Sequence, residues 1–214
     1  MTPSPRTQEI LDQISSHETK LGDLRKIAGE IKMDHELALE LWFAGSFMAR
    51  QLAILIMNKK QLTQEVIDGL IQDIQHHNDI ERNQLTDWLM ANQLMKDKKA
   101  IALIETWENH TESLQRRVYW YYQGRLRWMG KVPIDNAEKL LNAIEARQAE
   151  EAPEVQWAMN FTAAQIGIFE PKHRSRCVTI GETLGLYKDK PVPKNCTPDY
   201  LPEWIKMEVE KKGT

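Results

Sequence analysis

Cysteine, glycine and long apolar runs are all scarce in this 214-residue sequence, and each scarcity removes a class of answers. The two cysteines, Cys177 and Cys196, lack the paired spacing of a zinc site and sit beside no secretory marker, so both are expected to be reduced structural thiols. The longest apolar run, around Leu52 to Met57, falls far short of the roughly 20 residues that a membrane-spanning helix needs. Gln8, Glu9 and Asp12 interrupt the segment Met1 to Ser15, which carries no signal-peptide core, so a cytoplasmic protein with no membrane partner is expected. No glycine-rich phosphate loop precedes a helical pattern, and no serine stands in a nucleophile elbow. The adjacent His76 and His77 point to different helix faces, with no Cys or carboxylate at ligand spacing. Neither a metal nor a cofactor is expected.

What is abundant is helix-forming. With 42% apolar and 28% charged residues and only ten glycines, the composition favours helix over strand and suffices for one core, so a single domain over 1–214 is the default. Ser4-Pro5 reads as a cap followed by proline at the first helical position, with Ile10, Leu11 and Ile14 on one face. Leu24 to Ile31 keeps helical spacing, Asp34 opens a helix with Leu37, Leu41 and Trp42, Gly45 is a left-handed terminator and Ser46 the next cap. Phe47 to Met57 is apolar almost all round, as in a helix buried between neighbours. The layout then repeats. Val66 to Ile74, Leu85 to Leu94, Ile101 to Trp107 and Leu114 to Trp128 are separated by polar corners. Asp135 and Glu138 have the spacing of a capping box for Leu140 to Ala146, Pro153 starts a helix through Ile168, and Glu170-Pro171 begins a last helix ending near Gly185.

Helix pairs of 30 to 45 residues that cannot bury their apolar faces alone are the pattern of a stacked α-solenoid. A compact bundle is the competing architecture, but it would bury the charges of the inner helices at a cost of several kcal/mol each unless they were paired. From Tyr187 to Pro202 the proline density predicts an extended tail, 187–204, held on the surface by Tyr187, Val192, Tyr200 and Trp204.

The net charge of −3 is not that of a strongly nucleic-acid-binding domain, so any phosphate-binding surface requires segregated cations. Arg116, Arg117, Arg125, Arg127 and Lys131 face only Glu112 in their own stretch, and Lys172, Arg174, Arg176, Lys188, Lys190 and Lys194 cluster later. Ordinary solvated helix faces are the other reading of the same runs. Asp87 sits about half a turn off the face formed by Leu85, Trp88, Leu89 and Met95, with Asn83 one turn earlier. Arg116 and Arg117 precede Val118-Tyr119-Trp120-Tyr121-Tyr122; an arginine in such company pairs with a carboxylate, meets an anion or packs on the rings. Arg50, embedded in Phe47 to Ile56, poses the same choice. Trp157, Phe161, Ala164 and Ile168 form a stripe at helical spacing that serves either as core or as a contact to sugar or base.

Taken in order, these segments resemble a known family. Leu24-Arg25-Lys26-Ile27-Ala28, Asp34-His35-Glu36-Leu37-Ala38 with Leu41-Trp42, and Ala49-Arg50-Gln51-Leu52-Ala53-Ile54-Leu55-Ile56 look like the N-terminal half of the bacterial DNA alkylation repair proteins. Gln156-Trp157-Ala158-Met159-Asn160-Phe161, Gln165-Ile166-Gly167 and the tail from Tyr187-Lys188-Asp189 to Trp204 resemble the C-terminal part. The resemblance implies an all-α domain of HEAT-like helix pairs that holds double-stranded DNA against a concave face, and a solenoid of this size is expected to be a monomer. It further implies an alkylpurine DNA glycosylase that releases 3-methyladenine or 7-methylguanine without extruding the base. The family's catalytic Asp falls on Asp87 and its conserved Arg on Arg117, with Arg116 the alternative for a register shift of one. Asn83 stands where active members carry Trp, and Phe161 where they carry another Trp. The family also has members that keep the fold without the reaction, so the competing expectation is a catalytically silent HEAT-like module for structured DNA or a protein partner.

Overall fold

The computed structural model describes residues 3–15, 19–131 and 135–213, and among these it contains twelve α-helices, short 3-10 turns and no strand. The chain divides into two compact units, Met1–Thr106 and Trp107–Thr214. No helix among the described residues is long and apolar enough to cross a membrane.

The first unit holds α1 (Pro5–Ile14), α2 (Leu21–Ile31), α3 (His35–Phe43), α4 (Phe47–Ile56), α5 (Gln64–Ile74), α6 (Asp79–Asn92) and α7 (Lys98–Ile104). Its helix starts follow from short polar side chains that accept the otherwise unpaired first-turn N–H groups: Ser4, Asp34, Ser46, Thr63, Asn78 and Asp97 each do so. Asn78 explains why α6 begins at Asp79, well before the apolar spacing from Leu85 betrays it: its side chain takes the N–H groups of both Ile80 and Glu81, while the first turns are polar. Helix α4 is buried on nearly all sides, and α2, α3 and α6 pack against it. At its far end the Gln93 amide donates to the carbonyls of Ile54, at 2.5 Å, and Met57, at 3.2 Å, which the helix itself leaves unpaired. Helix α1 is tied to α3 through Glu40, whose carboxylate accepts from the Ser4 N–H and the Thr7 hydroxyl. Those hydrogen bonds hold its carboxyl below the usual range.

The second unit holds α8 (Ser113–Trp128), α9 (Ala137–Arg147), α10 (Pro153–Phe169), α11 (Pro171–Leu184) and α12 (Leu201–Lys212). Its axis is the pair α8 and α10, which run in the same direction: Arg117 meets Glu154, Trp120 meets Thr162 and Arg127 meets Glu170. Gly124 permits that approach. A Cβ there would lie 2.7 Å from the Phe161 ring and 3.1 Å from the Thr162 backbone.

Two expectations are corrected. Asn136, not Asp135, precedes α9, and neither supplies a side-chain cap; Asp135 instead faces Lys172 at 3.6 Å. The chain from Tyr187 also does not stay extended to Trp204, because α12 starts at Leu201. Pro202 lies in the first turn, where a missing N–H costs nothing, and the bare backbones of Gly181 and Gly167 receive Leu201, Pro202 and Ile205.

Lys32 ends α2 at φ 64° and ψ −151°, a region that only glycine occupies without steric cost. Lys32→Gly is expected to raise stability by about 1 kcal/mol. Gly124→Ala, which forces the Phe161 ring out of its seat, is expected to lower it by about 1–3 kcal/mol. Urea titrations of the two variants should move the unfolding midpoint in opposite directions.

Candidate functional site

Arg50, Asn83 and Asp87 belong to the first unit, and Arg117 and Phe161 to the second. In the first, Leu85, Thr86, Leu89 and Met90 anchor α6 in the core, while Asp87 and Asn83 are half-buried on the same helix, one turn apart. Trp88 is fixed beside Asp87 by its indole N–H, which donates to the Gln51 carbonyl at 3.1 Å, and Arg25 lies over its ring at 5.1 Å. Shielded from solvent, the Asn83 Oδ1 accepts no hydrogen bond from any described residue. Arg50 is engaged inside the unit. It donates to the Asp73 carbonyl at 2.6 Å and sits 5.0 Å over Trp42, whose indole N–H donates to the Asp73 carboxylate. Burial lowers the guanidinium pKa from its ordinary value, and the Asp73 charge opposes that.

In the second unit Arg117 and Phe161 share one cluster. Only 4% of Arg117 is exposed; it donates to the Glu154 carbonyl at 2.8 Å and lies 4.9 Å over Trp157 and 5.9 Å from the Tyr121 ring. Phe161 stacks on Trp157 with rings 13° from parallel and touches Tyr121 and Trp204 at centroid distances of 4.8 and 6.0 Å. The segment before α12 closes over this group. Asp199 accepts from the Trp157 indole N–H at 3.1 Å, pairs with Lys190, and its carbonyl accepts from Asn160 at 2.7 Å. Tyr187 completes the closure. Burial, reinforced by the Asp199 charge and opposed by Arg117, pushes its hydroxyl up to about 12.

Several of the cations that looked segregated along the chain are neutralised in space. Arg116 pairs with Glu151 at 2.9 Å, Arg127 with Glu170 at 2.6 Å, and Arg176 with both Glu138 and Glu145. The acids sit far away in sequence, in α9 and in the turns that flank α10, so no local charge count anticipates the pairing. Asp199 and Gly124 were also missed. A glycine inside a helical pattern is a readable hint of close approach, whereas nothing marks Asp199.

A family model of DNA alkylation repair enzymes matches residues 10–180. The chain belongs to the DNA alkylation repair family. Helix α12 and the Tyr187–Asp199 closure lie outside the matched span. Among solved structures the chain is similar to a member of a new family of proteins related to the HEAT-like repeat DNA glycosylases with affinity for branched DNA structures. The TM-score is 0.70 at 21% identity, covering 98% of this chain and 90% of that one. The all-α, HEAT-like fold expected from the sequence is therefore the fold observed. No curated protein matches significantly.

Two chemical predictions follow from the second unit. Cys196 is exposed, whereas Cys177 is fully buried and its thiol is pushed up to about 12 by desolvation. One thiol should react with a disulfide reagent at neutral pH at once, and the second only at the rate of unfolding. Cys177 and Tyr187 both hold their protons more tightly folded than unfolded. The stability they contribute is complete below about pH 9 and is lost as pH rises toward 12, because the unfolded chain ionises first. Urea midpoints should fall across that window, and Tyr187→Phe should make the fall shallower.

Proposed function

We propose that this protein serves alkylation repair by binding DNA of branched or otherwise altered structure, as a monomer, and that base excision is not its principal activity. The observation that carries the reading is the state of Arg117. A phosphate anchor must present its N–H groups outward, and this guanidinium is buried, donates to the Glu154 carbonyl and is stacked on Trp157. Phe161 is likewise enclosed by Tyr121, Trp157 and Trp204, so its ring reaches a sugar only if those rings move. Asn83 offers an amide where an indole face is required against deoxyribose. The affinity for branched DNA of the structurally similar protein agrees with this reading.

Asp87 supports a second reading, an alkylpurine glycosylase. An N3- or N7-alkylated purine is cationic and leaves with the electron pair of the glycosidic bond. A carboxylate on α6 would then stabilise the oxocarbenium-like sugar and orient the water that adds to it, with Asn83 of the same helix beside the sugar. Family membership and the half-buried setting of Asp87 favour it.

The two separate cleanly. On the first reading the protein binds a four-way junction or flap at least about tenfold more tightly than blunt duplex, with affinity falling as salt rises. It then releases no 7-methylguanine or 3-methyladenine from alkylated DNA even at stoichiometric protein. Release that disappears in Asp87→Asn would establish the glycosylase instead, and absence of binding to every DNA form would sink both.

A further inference from the structure

Most large apolar side chains of the second unit are covered; Val192, expected to pin the tail, is instead exposed, and three more stand open together at one end. Trp128 is 56% exposed, Met129 44% and Phe169 37%. Trp128 ends α8 and Phe169 ends α10. Because these helices run in the same direction, both aromatics emerge at the same end, and the ion pair between their neighbours Arg127 and Glu170 ties the two ends together at 2.6 Å. Each ring carries a cation: Arg125 lies 5.0 Å over Trp128, and Lys212 at the end of α12 lies 5.0 Å over Phe169. Gly130 turns the chain at φ 67°, and Lys131 is exposed just beyond it.

Single exposed hydrophobics need no explanation. Two exposed aromatics on one end, each with a cation against it, form a pattern with a chemical meaning. The Arg125 guanidinium makes no hydrogen bond or ion pair with any described residue, and its Nε is shielded without a partner. That sets it apart from Arg116, Arg117, Arg127 and Arg176, all of which are engaged. The carboxylates at this end are committed: Glu170 to Arg127, and Asp135 to Lys172. What remains is π surface next to unneutralised positive charge.

We infer that the joined C-terminal ends of α8 and α10 form a stacking platform for an unpaired nucleobase, with the Trp128 indole as the stacking face and Arg125, Lys131 and Lys212 contacting the flanking phosphates. The inference rests on the DNA-binding reading above and deepens it, since branched DNA is distinguished from duplex by bases that have lost a stacking neighbour. A nucleic acid is the occupant that matches both features at once, because each unpaired nucleotide offers a π face and an anionic phosphate. One face of the indole is covered by Arg125, and more than half of the residue is open to solvent.

The test uses the full chain with a blunt duplex and with the same duplex carrying a short single-stranded flap that contains 2-aminopurine. The wild type should bind the flap and quench the 2-aminopurine by stacking. Trp128→Ala should weaken flap binding by about tenfold, abolish most of the quenching and leave blunt-duplex binding unchanged. Trp128→Phe should recover much of both, and Arg125→Gln should weaken binding and flatten its salt dependence. Because the side chain is exposed, the thermal midpoint of Trp128→Ala should match the wild type, which excludes a folding defect. Wild-type behaviour of Trp128→Ala on the flap would overturn the platform while the DNA-binding reading stands. Loss of self-association in Trp128→Ala by sedimentation, without an effect on DNA, would overturn it in favour of a contact between copies. A wild type that binds no DNA would overturn both.

Discussion

A helix pair can approach as closely as α8 and α10 do only where a side chain is missing. Gly124 supplies that place: the Phe161 ring occupies the space a Cβ would need, and the contact fixes the register of the pair. From that register follow the alignment of Arg117 with Glu154 and Trp157, the hydroxyl of Thr162 bonded to the Trp120 carbonyl, and the ion pair of Arg127 with Glu170. Both the enclosed aromatic cluster at one stage of the pair and the exposed aromatics at its end are consequences of one absent methyl group.

The same packing sets the electrostatics. Burying a guanidinium is tolerable only when its N–H groups find acceptors, and in this protein backbone carbonyls and distant carboxylates provide them. Arg50 and Arg117 use helix-end or helix-start carbonyls and indole faces, while Arg116, Arg127 and Arg176 use glutamates. A chain of net charge −3 thereby engages several of its arginines within its own fold. Recognition through stacking, supplemented by a few uncommitted cations, suits such a molecule better than recognition through charge alone. Members of a repair family that keep the fold while altering the residues beside Asp87 are physically coherent: the scaffold is held by packing, and packing does not require the chemistry.

Most helix boundaries were legible because they are encoded locally. Ser4, Asp34 and Ser46 cap within three residues, Pro5 and Pro153 start helices by a fixed φ, and Gly45 and Gly185 stop them in the left-handed region. The failures have an equally local cause. The polar first turns of α6 hide its start, and the proline-rich segment before α12 looks like an extended lap because Pro202 carries the same letter whether it breaks a helix or opens one. What chose between those roles was the pair of bare glycine backbones at Gly167 and Gly181, which give α12 somewhere to seat.

The sequence by itself determined the helical class, the caps at Ser4, Asp34 and Ser46, the family and the identity of Asp87, Asn83, Arg117 and Phe161 as the residues to inspect, because caps and apolar spacing act over a few residues and family likeness is read from their order. Tertiary structure alone decided what the arginines do. Whether Arg117 faces a phosphate or an indole, whether Arg127 is a surface charge or half of a tie, and whether Asp199 is a loop acid or the closure over Trp157 all depend on partners about 40 residues away. Hydrogen bonds and contact ion pairs form only within a few ångströms, so their outcome is fixed by which distant segments the packing brings within that reach.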